Sequence, residues 1–374
     1  MKDVLLSQVD AIFSKGSYPI EFLFYYRDEF SIKKMKRALR TLSSVFWPMF
    51  GRYQDGRIVS DAFREEDIFA EVAGGEEFDV AAARDEGFDI VSRFRLPEVK
   101  RLFFLKVIHL NNGLLLVPKL NHLAGDGYSY FYFLSCLAAL SKSGSIPFTW
   151  FWLRASVRPH HRRTVLKEFR FKSGQAGSAP RDAKCTIEFE SVSRTEVRAI
   201  LKDAAAAAGF RISTNDVLSA MAVKTLAQKQ DRDLGEEIGL TLPIDVRHQV
   251  REYGPRFFGN GIMLHTMKLK KKDVDNAPLK DIAIQIRKSM PSLSTESYLS
   301  YLSALETRIS EGAPGRFIPF DPKSGFLVTN LSKMSFDKLD FGSGSPALVF
   351  PLTVEKNSTA ILAAPESYIL RHAY

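Results

Sequence analysis

Lys119-Leu-Asn-His-Leu-Ala-Gly-Asp-Gly-Tyr128 interrupts two apolar runs, Leu114-Leu-Leu-Val117 before it and Tyr128-Ser-Tyr-Phe-Tyr-Phe133 after it. A histidine, an aspartate and two glycines stand where a core ought to be continuous. The strand that leads in has a partner. Arg101 to Leu110 and Gly113 to Leu120 are apolar runs joined by Asn111-Asn112-Gly113, which is hairpin-turn chemistry. Tyr128 to Lys142 follows as a helix. Gly125 and Gly127 allow the backbone to bend sharply between strand and helix and leave room beside a ring. An imidazole with an ordinary pKa of about 6.5 accepts a proton near neutrality, which makes His122 the first candidate for a general base. Asp126 has two readings: it orients the histidine as in a triad, or it pairs with a buried arginine and fixes the loop. By spacing alone, a strand-to-helix turn with a satisfied histidine and a helix cap explains the segment as well.

Around this segment the chain has 374 residues, more than one hydrophobic core usually serves, so two lobes are expected. The exposed-looking stretch Ser173-Gly-Gln-Ala-Gly-Ser-Ala-Pro180 suggests a boundary between residues 1–172 and 173–374. Hydrophobic residues at 45% and charged residues at 25% exclude a disordered chain. Twenty-nine Phe and twelve Tyr imply thick packing or large apolar cavities.

The net charge of +9 admits nucleic acid, a membrane surface or a phosphorylated ligand. Much of the excess lies between Arg154 and Lys184, a solvated basic connector in the simplest reading. No basic stripe with interleaved aromatics occurs elsewhere, so nucleic acid is not an expected partner. Cys136 and Cys185 have neither disulfide-framework nor zinc-site spacing, and no metal is expected. The N-terminus lacks a secretory apolar stretch, and no window approaches a membrane span. A cytoplasmic, soluble, monomeric protein is the expectation.

Ser31 to Trp47 reads as an amphipathic helix, with Ile32, Met35, Leu39 and Leu42 on one face. A hairpin follows around Gln54-Asp-Gly56. In the second half, Thr186 to Glu190 reads as a strand and Ser193-Arg-Thr-Glu196 as a capping box opening a helix to about Gly209. Ser213-Thr-Asn-Asp216 opens another helix. Further strands fall at 238–242, 261–267, 326–329, 347–352 and 359–363. Strands and helices recur without regular alternation, which favours an α+β fold of two mixed lobes.

A second segment, Leu339-Asp-Phe-Gly-Ser-Gly-Ser-Pro346, reads locally as a turn between strands. Together with His122 to Gly127 it resembles the paired HxxxDG and DFGWG hallmarks of the BAHD acyltransferases, relatives of chloramphenicol acetyltransferase and of condensation domains. Trp47-Pro-Met-Phe-Gly-Arg52, Ser213 to Ala220, Ile244 to Arg247 with Phe258-Gly-Asn260, and Leu327 to Ser332 follow in the family's order. Asn121 stands where condensation domains carry a further histidine.

The resemblance implies two chloramphenicol-acetyltransferase-like lobes, each a mixed sheet with helices, and a tunnel between them. It implies acyl transfer from acyl-coenzyme A, a co-substrate rather than a permanent cofactor, to a small-molecule hydroxyl, with an amine as alternative. His122 would be the base, without a covalent intermediate. An acyl carrier protein as donor, or a non-catalytic binding member of the same fold, remains as an alternative.

Carried over by position, Asp126 and Gly127 are structural, with Arg247 the partner of Asp126 across the lobes. Asp340 and Gly342 support the architecture from a distance, and Thr329 and Asn330 line the acceptor pocket. Arg211, Ser213 and Thr214 approach the thioester donor or cap a helix. Ser343 replaces the family tryptophan, so that indole's role is absent or altered. His109 reads as a core residue, His248 as a lobe-interface residue, His265 as a strand residue, and His160 and His161 as solvated.

Overall fold

The computed structural model describes residues 2–6, 8–11, 13, 19–97, 101–145, 185–230, 233–250, 253–254, 257–311, 320 and 323–374. The basic connector, His160, His161 and the 172/173 boundary lie outside them. The strands are β1 (Asp3–Leu5), β2 (Ile20–Tyr26), β3 (Arg52–Gln54), β4 (Arg57–Val59), β5 (Phe69–Ala73), β6 (Phe103–Leu110), β7 (Gly113–Leu120), β8 (Ile187–Ser193), β9 (Glu237–Asp245), β10 (Ile262–Lys270), β11 (Gly325–Asn330), β12 (Leu348–Pro351), β13 (Ser358–Ala363) and β14 (Ser367–Ala373). They form three sheets, ordered β1-β4-β3, β12-β2-β7-β6-β5 and β10-β9-β11-β13-β14-β8. In the two larger sheets β5–β6, β9–β11 and β11–β13 run parallel and the other pairs antiparallel, which makes both mixed.

The first large sheet is not made from the first half of the chain alone. Leu348 to Pro351 pairs antiparallel with Tyr25 to Phe22, so β12 is its edge. Proline has no N–H for a ladder, and an edge strand is where that loss is tolerated. All of β7 is buried and so is all of β2 beyond Ile20, because both faces of this sheet are covered.

The helix Gly127–Ser143 is apolar nearly all round and packs beside Ile32–Val45. A helix without a polar face belongs in the interior. Around it Phe46, Phe50, Phe103 and Phe133 meet edge to face at 5.0–5.9 Å. Such ring pairs add about 0.5–1.5 kcal/mol each beyond area burial. Much of the aromatic excess is therefore packing. A second core lies between the six-stranded sheet and the helices Arg194–Ala208, Thr214–Gln228 and Leu279–Ser289.

Most local expectations correspond to elements within a few residues of the positions read from the sequence. Three corrections follow from contacts. Ser193 caps its helix by accepting from the Glu196 N–H, but the reciprocal half of a capping box does not form there. The complete box is at Ser213 and Asp216. His109 is no core residue: it sits half-exposed between the carboxylates of Glu29 and Glu71, at 2.9 and 3.0 Å, which raise its pKa. His248 is exposed. Among the described residues no helix is long and apolar enough to cross a membrane.

Candidate active site

The face of the six-stranded sheet turned toward the Gly127–Ser143 helix and the first sheet bounds a cavity of about 280 Å³. His122, Asp126, Gly127, Tyr128, Arg247, Thr329 and Asn330 line it. Phe13, Phe22 and Phe131 add aromatic walls.

Asp126 is the N-cap of the helix, and its Oδ1 accepts from the Ser129 N–H at 3.0 Å. Its Oδ2 accepts from the Gly261 N–H at 2.9 Å. The Arg247 guanidinium grips both oxygens, at 2.9 and 2.8 Å. Bidentate geometry of this kind makes the strongest charge-assisted pairs. Burial alone would raise the Asp126 pKa, but Arg247 and the two N–H donors hold it below the usual carboxylate range.

Arg247 itself is 2% exposed and further donates to the carbonyls of Phe257, at 3.1 Å, and Gly259, at 2.9 Å. Tyr128 covers its charge at 4.5 Å. Gly261 packs directly against this guanidinium: a Cβ there would stand 2.8 Å from its Cζ. The loop after β9 is thereby tied to the turn after β7.

Asp126 makes no hydrogen bond to His122, so the orienting role of a triad falls away. The His122 Nδ1 is buried without a hydrogen-bond partner. Phe13 stacks on the ring, centroids 3.8 Å apart and planes 20° from parallel. The Asn260 side chain donates to the His122 carbonyl at 2.8 Å and to Asp10 at 2.7 Å, which fixes the backbone at this point. Burial lowers the imidazole pKa, opposed in part by Asp126, the residue's own carbonyl, Asn260 and Asp10. Burial thus favours the neutral imidazole, which is the base form. Phe13 and Asp10 carry no motif, and only the tertiary contacts, the Phe13 stack and the Asn260–Asp10 bond, show their part.

Of the two roles read for Gly125 and Gly127, it is the room for a ligand, at Gly127, that the geometry supports. Neither has a positive φ, so no left-handed bend is involved. A Cβ on Gly125 would meet the Ser129 Cβ at 2.7 Å, while one on Gly127 would enter the cavity with only Leu331 near, at 3.5 Å. Room for a ligand is what Gly127 supplies.

The other predicted residues divide. Thr329 and Asn330 line the cavity, and Asn330 donates to Asn215 at 2.7 Å. Asp340 lies outside it. One of its oxygens accepts from the Gly342 and Gly344 N–H groups at 2.8 and 3.0 Å, and the other binds Lys142 at the end of the Gly127–Ser143 helix. Burial of this carboxyl is outweighed by Lys142 and the N–H donors, so its pKa is lowered. The Ser343 hydroxyl is buried without a partner and is not on the cavity wall. Ser213 caps the Thr214–Gln228 helix and is held by Arg287 at 2.7 Å. Arg211 is exposed, and neither it nor Thr214 lines the cavity.

Two charged residues of the cavity wall went unread in the sequence. Glu355 is pushed up to about 7 by burial. Arg371, on β14, is 3% exposed.

The Transferase family matches residues 88–369. Anthranilate N-benzoyltransferase protein 1 of Dianthus caryophyllus is 25% identical over 144 residues, 36% of this chain and 31% of that relative's length. The chain therefore spans under a third of the curated relative it matches. Among solved structures, vinorine synthase superposes with TM-score 0.77 at 14% identity, covering 100% of this chain and 90% of that one. The F. sporotrichioides TRI101 complexed with coenzyme A and T-2 gives 0.74 at 16% identity, covering 100% and 95%. The first condensation domain of the CDA synthetase gives 0.61 at 15%, covering 98% and 89%. At these identities the structural likenesses show a shared fold. With the family match across most of the chain, the chain belongs to the BAHD acyltransferases of the Transferase family.

Proposed function

We propose that the protein transfers an acyl group from an acyl-coenzyme A thioester to the hydroxyl of a small molecule, with His122 as general base. The acceptor O–H proton passes to the imidazole as the oxygen attacks the thioester carbonyl. The tetrahedral intermediate then collapses, and the departing thiolate takes that proton from His122. No covalent enzyme intermediate is required.

One observation carries this reading: the buried imidazole stands on the cavity wall and is not tied to any carboxylate, because Arg247 and two N–H groups occupy Asp126. Related structures holding coenzyme A with T-2 or deoxynivalenol support a coenzyme A donor and a small-molecule acceptor. The Dianthus relative is named for N-acylation, which keeps an amine as the alternative acceptor. The condensation-domain likeness is the weaker one, and Asn121 uses its side-chain oxygen on the Leu123 N–H at 3.0 Å, so a carrier protein is not the proposed donor. Two buried free thiols, Cys136 and Cys185, favour a cytoplasmic setting.

The test is acyl transfer from a panel of acyl-coenzyme A thioesters, followed by product mass. His122→Ala is expected to lower kcat by about 10²–10⁴-fold while the protein stays folded. Near-parental turnover in that variant overturns the assignment of the base. With the imidazole pKa depressed, the acid limb of kcat/KM has its midpoint below that of an exposed histidine.

A further inference from the structure

Among the described residues Arg371 is a buried cation without a counter-ion. Its guanidinium makes one hydrogen bond, to the Pro351 carbonyl at 3.3 Å, and its Nε has no partner. Among the described residues no carboxylate lies within ion-pair distance of it. The titratable groups that act on it are the Cys185 thiol and the like-charged Arg95. Burial pushes the Cys185 thiol up, so it is neutral and offers no compensation. An arginine in this situation is costly to the fold unless something pairs with it.

Its place in the sheet shows where that partner enters. Arg371 of β14 stands opposite Ala360 of β13, and Ala360 opposite Thr329 of β11, and all three line the cavity. In-register partners point to the same face, and strands are about 4.8 Å apart, so Arg371 and Thr329 flank a gap about 10 Å wide at backbone level. The residue between them is an alanine, which leaves the gap open. Glu355 also lines the cavity, but it makes no ion pair with Arg371.

We infer that Arg371 binds a carboxylate carried by a substrate whose reacting end lies at His122, and so sets specificity for acidic substrates. The inference rests on the transfer reaction proposed above and names a substrate class for it. The carboxylate belongs either to the acceptor or to a dicarboxylic acyl group, and the fork of an arginine suits both.

Calorimetric binding tests the inference without turnover. In one arm, protein saturated with coenzyme A is titrated with 3-hydroxybenzoate and 4-hydroxycinnamate and with their methyl esters. In the other, succinyl-coenzyme A is compared with butyryl-coenzyme A. In at least one arm the acid is expected to bind about tenfold more tightly than its uncharged twin, as charge-assisted hydrogen bonds allow. Arg371→Gln should remove that preference and Arg371→Lys should keep part of it. Equal binding of acids and uncharged twins by the parent protein in both arms overturns the inference, as does a preference that survives in Arg371→Gln. Absence of acyl transfer from every donor would instead count against the proposed reaction, since the binding result is read separately.

Discussion

Arg247 and Arg371 are buried to the same degree, 2% and 3% exposed, and face the same cavity, but their surroundings are opposite. Arg247 has both oxygens of Asp126, one of Asp245, several carbonyls and the faces of Tyr128 and Phe257. Among the described residues Arg371 has one carbonyl. Their pKa values move accordingly: the carboxylates outweigh burial and push Arg247 well above its ordinary value, while burial leaves Arg371 at about 10. Burial of a charge thus does not by itself tell structure from function. The number of partners does. A saturated arginine holds two loops together, and an unsaturated one awaits a ligand.

The largest effect should come from breaking the saturated site. Arg247→Ala leaves Asp126 buried and unpaired and is expected to cost about 3–5 kcal/mol in denaturant unfolding, with part of the loss recovered by adding Asp126→Asn. Unchanged stability in Arg247→Ala would abolish the contrast. Arg371→Met should do the reverse and stabilise the ligand-free protein by roughly 1–4 kcal/mol, because it removes an unpaired buried charge without opening a void. A loss of stability there would make Arg371 a structural residue like Arg247.

The smallest effect is a pH slope. The folded protein keeps the Glu355 proton up to about pH 7, whereas the unfolded carboxyl releases it near its ordinary value of 4.5. The folded state binds the extra proton, so this group's contribution to stability falls as pH rises through that window and levels off above it. Melting temperature measured from pH 5 to 8 should show the decline, and Glu355→Gln should flatten it. Asp126, whose pKa is lowered, contributes the other way: its share is full above the ordinary aspartate pKa and is lost only as pH falls through the depressed value.

The saturated arginine was legible in the sequence and the unsaturated one was not, for physical reasons. Asp126, Arg247 and His122 belong to short segments whose glycines, caps and turns leave local marks. Pairing across 121 positions is not a local property, and only the resemblance suggested it. Arg371 lies in Tyr368-Ile-Leu-Arg-His-Ala373, a strand that the sequence reading did not name. Period two implies that Arg371 and His372 face opposite ways, but not what each meets. His372 meets Thr359 and Glu190, at 2.9 and 3.0 Å, while Arg371 meets the cavity. Ile20–Tyr26 escaped notice for a different reason: with both faces buried it shows no alternation for periodicity to detect.

Because β12 completes a sheet whose other strands all precede residue 121, synthesis of this chain has an ordering problem. The apolar ladder edge of β2 is made early and stays uncovered until Leu348 to Pro351 has left the ribosome. Nascent chains must carry that sticky edge through most of translation, and a product truncated before residue 348 would present it permanently to other molecules.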